Sequence, residues 1–332
     1  MMLKLLVISV LWADSPDNLW PVSDVVARFQ TVAAWYAEAS YGRVTLVPTV
    51  TPFVRATTTS ANANANTLLR ISSEVGGPLK AAGFDTTKFD RIIYIVPRIA
   101  SVGPKGFTQG SSMWLNCGGS DYVTFGAIHE LGHSLGLAHA QALRLGGRNG
   151  NVMTFPGLDI TQLSGNVIGF REDTGGPTNA MSYTQTRGHF GAYDKSQLGW
   201  IAPIVWNAKD QTYELTPLAR RGGALYGIKV PMTQLRGMSN RVYWIELRDG
   251  FGFDASLGPQ NRGFVVSVAN DFSCIPTCAI DAHPETQTLS DSAFQAGDTF
   301  KDGTVRFDFV DATHVRLRLD SGAIAPAQMP KP

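Results

Sequence analysis

Eleven consecutive residues restrict this chain more than any others: His129-Glu130-Leu131-Gly132-His133-Ser134-Leu135-Gly136-Leu137-Ala138-His139. Two histidines four residues apart share one face of a helix, roughly 5–6 Å apart at Cβ. Both imidazoles can then reach a single ion with bonds of about 2.0–2.1 Å. Glu130 is set about 100° further round the helix, close enough to touch a water on the ion without ligating it. Gly136 can take a positive φ without a Cβ penalty, which ends the helix and turns the chain. His139 then supplies a third nitrogen, and a fourth position stays open for water. Three protein ligands and an open position distinguish a catalytic zinc site from a closed structural one. With average residue frequencies, five fixed residues in this order arise by chance in on the order of one chain in 10⁵.

The flanking residues support a helix here. Thr124, Ala127, Ile128, Leu131 and Leu135 recur at helical spacing and fall opposite the two histidines. One face packs on a core while the other looks into a cleft, and Ser120 or Asp121 reads as the N-cap. The competing reading is a buried amphipathic helix whose histidines are satisfied by hydrogen bonds.

The eleven residues resemble the metzincin zinc-peptidase signature, whose second mark is a Met-turn beneath the metal. Asn179-Ala180-Met181-Ser182-Tyr183 resembles that turn. Met181 stands where such proteins keep the methionine that floors the site. Tyr183 resembles the tyrosine that astacins and serralysins place near the zinc as a fifth ligand or transition-state donor. Ala192-Tyr193-Asp194-Lys195-Ser196-Gln197-Leu198-Gly199-Trp200-Ile201, together with Ser40-Tyr41-Gly42-Arg43, resembles the gametolysin family and, more loosely, the immune inhibitor A peptidases. Gametolysin-type turns often have Gly after the Met, whereas Ser182 and Tyr183 follow here. No serralysin-type calcium repeats accompany them.

The resemblance implies a zinc endopeptidase in which His129, His133 and His139 hold Zn2+ and Glu130 is the general base. It further implies that Tyr183 assists the oxyanion. A sheet-edge strand before the zinc helix would pair with extended substrate through main-chain hydrogen bonds, and residues 111–116, with Ser112, Met113, Trp114 and Leu115, are where it is expected. The implied fold is an α+β metzincin-type catalytic domain, a mixed twisted sheet plus helices around a zinc cleft, over residues 1–203. From about residue 204 the periodicity changes from 3.6 to 2, which predicts an all-β sandwich domain over 204–332.

Along the first domain a strand is expected at Leu5–Leu11. A helix from Asp24 to about Ser40 is capped by Ser23, and a second strand is entered through Ser40–Leu46. Residues 57–66 read as an exposed loop. A second helix runs from near Thr67 to Gly83, interrupted at Gly76-Gly77-Pro78, and Arg91–Val96 reads as a buried strand. Residues 140–176 read as a long Gly-rich loop. Sandwich strands are expected at Thr212–Leu215, Ala224–Val230, Arg241–Arg248, Gly263–Val268, Thr304–Val310 and His314–Leu319. His189 and His314 have no helical partner and read as solvent-facing or structural.

A formal net charge of +1 over 332 residues gives no electrostatic reason to expect nucleic acid or an anionic membrane as partner. No apolar run approaches the roughly 18–20 residues needed to span a bilayer. Met1–Trp12 reads as a first buried strand and not as a signal peptide, for want of a small-x-small cleavage site. The resemblance nevertheless implies a secreted protein, so the sequence reads as a processed or truncated form, or as a cytoplasmic protein. Three cysteines are too few for a disulfide scaffold. Cys274 and Cys278 are close enough to pair across a small loop, and Cys117 reads as a buried thiol. The expected partner is a protein or peptide substrate met by a monomer, and the sandwich is a place for substrate binding, buttressing or a structural Ca2+. Two other functions compete: a zinc-containing but non-proteolytic binding or adhesion protein acting through its sandwich, and a zinc hydrolase of a non-peptide amide or cell-wall bond.

Overall fold

From Leu5 to Leu11 every residue of β1 (Met2–Leu11) is buried, as expected of a central strand covered on both faces. The computed structural model describes residues 1–102, 105–147, 158–159, 167–172, 176, 178–182, 188–232, 241–269, 276–286, 288–302 and 305–319. The chain is mixed α and β, with several sheets and few helices, and divides into two compact units, Met1–Leu137 and Ala138–Pro332.

In the first unit, β1 is followed by α1 (Val22–Ala39), β2 (Thr45–Val50), β3 (Val54–Arg55) and α2 (Ala65–Ala81). Then come β4 (Arg91–Val96), β5 (Gly106–Gln109), β6 (Ser112–Asn116) and α3 (Tyr122–Ser134). The sheet runs β2-β1-β4-β6-β5. Its first four strands are parallel and β5 is antiparallel to β6, with Thr108 opposite Met113. Leu6, Ile8 and Val10 of β1 pack with Leu68, Ile71, Val75 and Leu79 of α2, which recur along one helix face. That stripe explains why α2 is continuous where a break at Gly76-Gly77-Pro78 is expected. Burial of four large side chains offsets the roughly 3 kcal/mol penalty of an internal proline. Its start is the Asn64 cap, whose side chain accepts from the Asn66 and Thr67 amides. Ser23, by contrast, does not cap α1, because the helix already begins at Val22 behind Pro21.

The expected edge strand requires correction. Ser112, Met113, Trp114 and Leu115 lie in β6, which is paired on both sides, to β4 and to β5. Among the described residues the edge is β5, one hairpin earlier. The apolar run Met113-Trp114-Leu115 is the mark of that interior position, since all three are buried.

In the second unit, β7 (Ala140–Gly147), β8 (Leu158–Asp159) and β9 (Val167–Glu172) precede α4 (Ala192–Gln197). They are followed by β10 (Ile204–Val205), β11 (Gln211–Glu214), β12 (Ile228–Pro231), β13 (Val242–Arg248), β14 (Gly263–Ala269) and β15 (Thr277–Ile280). β16 (Thr299–Asp302), β17 (Val305–Phe309) and β18 (His314–Leu319) complete it. One sheet runs β10-β12-β13-β14-β15-β7-β9 and the other β11-β18-β17-β16-β8. Tyr243, Ile245 and Leu247 of β13 and Phe264, Val266 and Val268 of β14 share one core with Phe300, Phe307, Val315 and Leu317 of the second sheet. Tyr243 meets Phe300 edge-on at 5.1 Å, and Phe300 stacks on Phe307 at 5.0 Å.

One expectation fails here. Residues 140–147, expected as loop, form β7, in parallel register with β15 (Thr277 opposite Ala140) and antiparallel to β9. Within the second unit β7 and β9 belong to the seven-stranded sheet and α4 packs on β13. Among the described residues no helix is long and apolar enough to cross a membrane.

Candidate metal centre

Helix α3 is buried on nearly all sides, from Val123 to Gly132. It ends as a glycine stop requires. Gly136 has φ +96, the Leu137 amide donates to Gly132 O (3.1 Å), and the Gly136 amide donates to His133 O (2.9 Å). At the other end Asp121 occupies the cap position but makes no capping bond; its carboxylate pairs with Arg28 at 3.0 Å. Ser120 is equally diverted, its hydroxyl donating to Cys117 O. Within the first unit Tyr36 of α1 donates its buried hydroxyl to Ile128 O, 2.8 Å away, one residue before the first histidine.

His129 and His133 place their Nε2 atoms 3.1 Å apart. His139 follows the first unit by two residues, and the three rings each offer a nitrogen, all within 4.8 Å of one another. Nitrogens bound at about 2.0–2.1 Å around a tetrahedral ion are about 3.3 Å apart, which the His129–His133 pair matches, and the third nitrogen is near enough for the three to hold one ion. His133 Nδ1 donates to Leu137 O at 2.8 Å, which leaves its Nε2 lone pair for a metal. Burial holds the His133 ring below the usual imidazole range, partly offset by the Leu137 carbonyl, and so favours the neutral ligand form. Among the described residues it is the only group of three or more His, Cys, Asp or Glu side chains placed to hold a metal ion.

Glu130 is 4% exposed. Thr108 Oγ1 lies 2.6 Å from its Oε2 and 3.0 Å from its main-chain oxygen. Burial pushes the carboxyl up to about 7, against the pull of the Thr108 hydrogen bond. Gly106 touches the same carboxylate: a Cβ there would lie 2.5 Å from Oε1. Neither Gly106 nor Thr108 stands out in the sequence, since only strand pairing brings β5 against α3.

In the second unit Met181 is fully buried. Its carbonyl accepts from the Ala140 amide (2.9 Å), next to His139, and its amide donates to Asn179 Oδ1 (2.9 Å). Asn179 Nδ2 donates to Asp194 Oδ2 at 2.7 Å, and burial pushes that carboxyl up to about 7. Tyr183 lies outside the described residues, as does Cys274, while Cys278 is disulfide-bonded. Cys117 is a free, buried thiol.

His189 is not solvent-facing. It is fully buried, its Nδ1 3.1 Å from Lys195 Nζ, which also donates to Leu218 O at 2.8 Å. Burial, and next the Lys195 charge, lower its pKa to about 3. His314 pairs with Asp311 at 2.9 Å on a part-exposed strand. The chain matches no protein-family model and no curated protein.

Proposed function

We propose that this chain is a zinc-dependent endopeptidase of the metzincin kind, with His129, His133 and His139 as zinc ligands. The observation that carries the reading is the convergence of three imidazole nitrogens within 4.8 Å beside a carboxylate buried on the same helix. An all-imidazole donor set suits Zn2+ among the common divalent ions. Zinc held there supplies positive charge that polarises a peptide carbonyl and acidifies a water molecule.

The remaining chemistry belongs to Glu130. It takes a proton from the attacking water at one carboxylate oxygen and returns it to the leaving amine. One carboxyl held at a fixed place serves both directions of transfer. In this reading the Tyr183 hydroxyl donates to the developing oxyanion, Met181 is the methionine of the Met-turn, and β5 takes the place of β6 as the strand that receives extended substrate. The disulfide at Cys278 supports a secreted protein, since such bonds persist in oxidising compartments.

The test is digestion of a peptide library with and without a chelator, using the parent protein and Glu130→Gln. The variant should keep about one zinc per chain and lose peptide cleavage by about 10²–10⁴-fold, the range for a positioned acid–base group. Near-normal turnover in Glu130→Gln removes the general-base assignment. Bound zinc with no cleavage of any denatured protein favours a binding or adhesion protein instead.

A further inference from the structure

Glu130 can serve as a general base only if something fixes the orientation of its carboxylate. A glutamate side chain has three rotatable bonds, and an acid–base group must hold its oxygens within a few tenths of an ångström to be effective. Helix α3 supplies the Cα position only. What meets the carboxylate is strand β5.

Gly106 and Thr108 are two residues apart on β5, so both turn the same face to α3. They make two different contacts with the two oxygens. The Thr108 hydroxyl is 2.6 Å from Oε2, in the short range of a charge-assisted hydrogen bond. Gly106 offers Oε1 the space a side chain would fill. A Cβ there would lie 2.5 Å from Oε1 and 3.1 Å from both Cδ and Cγ. One residue draws an oxygen in, and the other admits its twin by having no side chain.

We infer that β5 positions the Glu130 carboxylate: the Thr108 hydroxyl fixes Oε2 and Gly106 leaves room for Oε1. The inference rests on the reading of Glu130 as general base. Thr108 has one hydroxyl proton, and Oε2 at 2.6 Å is nearer to it than the Glu130 main-chain oxygen at 3.0 Å. A carboxyl oxygen keeps acceptor capacity whether or not the group is ionised, so the contact does not depend on the titration of Glu130. Thr108 acts through Glu130 and is a positioning residue.

The experiment compares Thr108→Val, Thr108→Ser, Gly106→Ala and Glu130→Gln in the full chain. It measures kcat and KM on a peptide cleaved by the parent, zinc content, melting temperature, and the place of the Glu130 carboxylate in crystals of each variant. Valine matches threonine in shape and lacks the donor. Thr108→Val should lower kcat about tenfold, the scale of one hydrogen bond to a charged group, with KM and zinc content unchanged. Thr108→Ser should recover kcat to within about twofold of the parent. Gly106→Ala should lose about a hundredfold, as expected for a displaced catalytic group. The Thr108→Val crystals should show the carboxylate turned from its parent position.

Parental kcat in Thr108→Val while Glu130→Gln is inactive overturns the inference and leaves the peptidase reading intact. A Thr108→Val loss accompanied by equal loss of zinc or of melting temperature also overturns it, as a structural effect. If the parent cleaves no peptide, the peptidase reading fails. The crystals then decide the positioning claim alone: an unmoved carboxylate overturns it.

Discussion

Arg248 is fully buried at the end of β13, and its guanidinium has five acceptors. It donates to Glu246 Oε1 at 2.8 Å and to Asp254 Oδ1 and Oδ2 at 3.2 and 3.3 Å. It also donates to the carbonyls of His189 and Phe190 at 3.3 and 3.2 Å, which pins the segment leading from the Met181 turn into α4. Arg248→Met keeps much of the stem and deletes the charge. Glu246 and Asp254, 4% and 0% exposed, are then left without their cation. Removing one partner of a buried ion pair costs about 3–5 kcal/mol, and two carbonyls lose a donor as well. The expected loss is therefore about 5 kcal/mol, at the upper end of that range. Urea unfolding followed by the fluorescence of Trp206 and Trp244, both buried in the same unit, reads this out at constant m-value. Arg248→Met combined with Asp254→Asn should recover part of the loss, because one stranded charge is gone. A loss below about 1 kcal/mol in the single variant would refute the reasoning, for it would mean the two carboxylates are stabilised without Arg248.

Three further outcomes follow from buried titratable groups. His189 stays neutral in the fold down to about 3, whereas the unfolded chain takes up its proton near 6.5. The unfolded state then binds more protons between those values, so stability is lost as pH falls through that window. His189→Gln should flatten the acid limb of unfolding free energy against pH by about 1.4 kcal/mol per unit, and identical limbs would contradict the assignment. Asp194 works in the opposite sense: its carboxyl is raised from 3.8 to about 7 by burial, so its share of stability is lost as pH rises through that range. Cys117, pushed up to about 12 by burial, should resist iodoacetamide at neutral pH until the protein is unfolded. Alkylation of the native protein at the rate of a free thiol would show the site to be open.

The histidine spacing, the glycine stop and the central strand were legible because each depends on neighbours in the chain. Helical geometry alone sets His129 beside His133, and Gly136 needs only its own backbone freedom. The β13 and β18 strands were readable from alternation for the same reason, and the core of the second unit follows their period. What escaped depends on pairing between distant segments. Ser112–Leu115 reads equally well as an edge or as an interior strand until β5 is seen to close over it. Ala140–Gly147 looks like loop because its glycines hide a strand whose partners, β15 and β9, come later in the chain. The buried state of His189 had no local signal at all, since Lys195, Arg248 and Asp254 come from three different elements.

Tyr36 bears on how accurately the histidines of the candidate metal centre are aimed. Side chains on a helix swing together when the helix turns about its axis, and tips furthest from the axis travel furthest. A hydroxyl on α1 hooks the carbonyl immediately before His129, so it opposes that rolling at the level where the first imidazole leaves the backbone. The aim of two ring nitrogens is thus governed by a phenol far upstream, and any change at position 36 acts on the histidines as a small angular error multiplied by their reach.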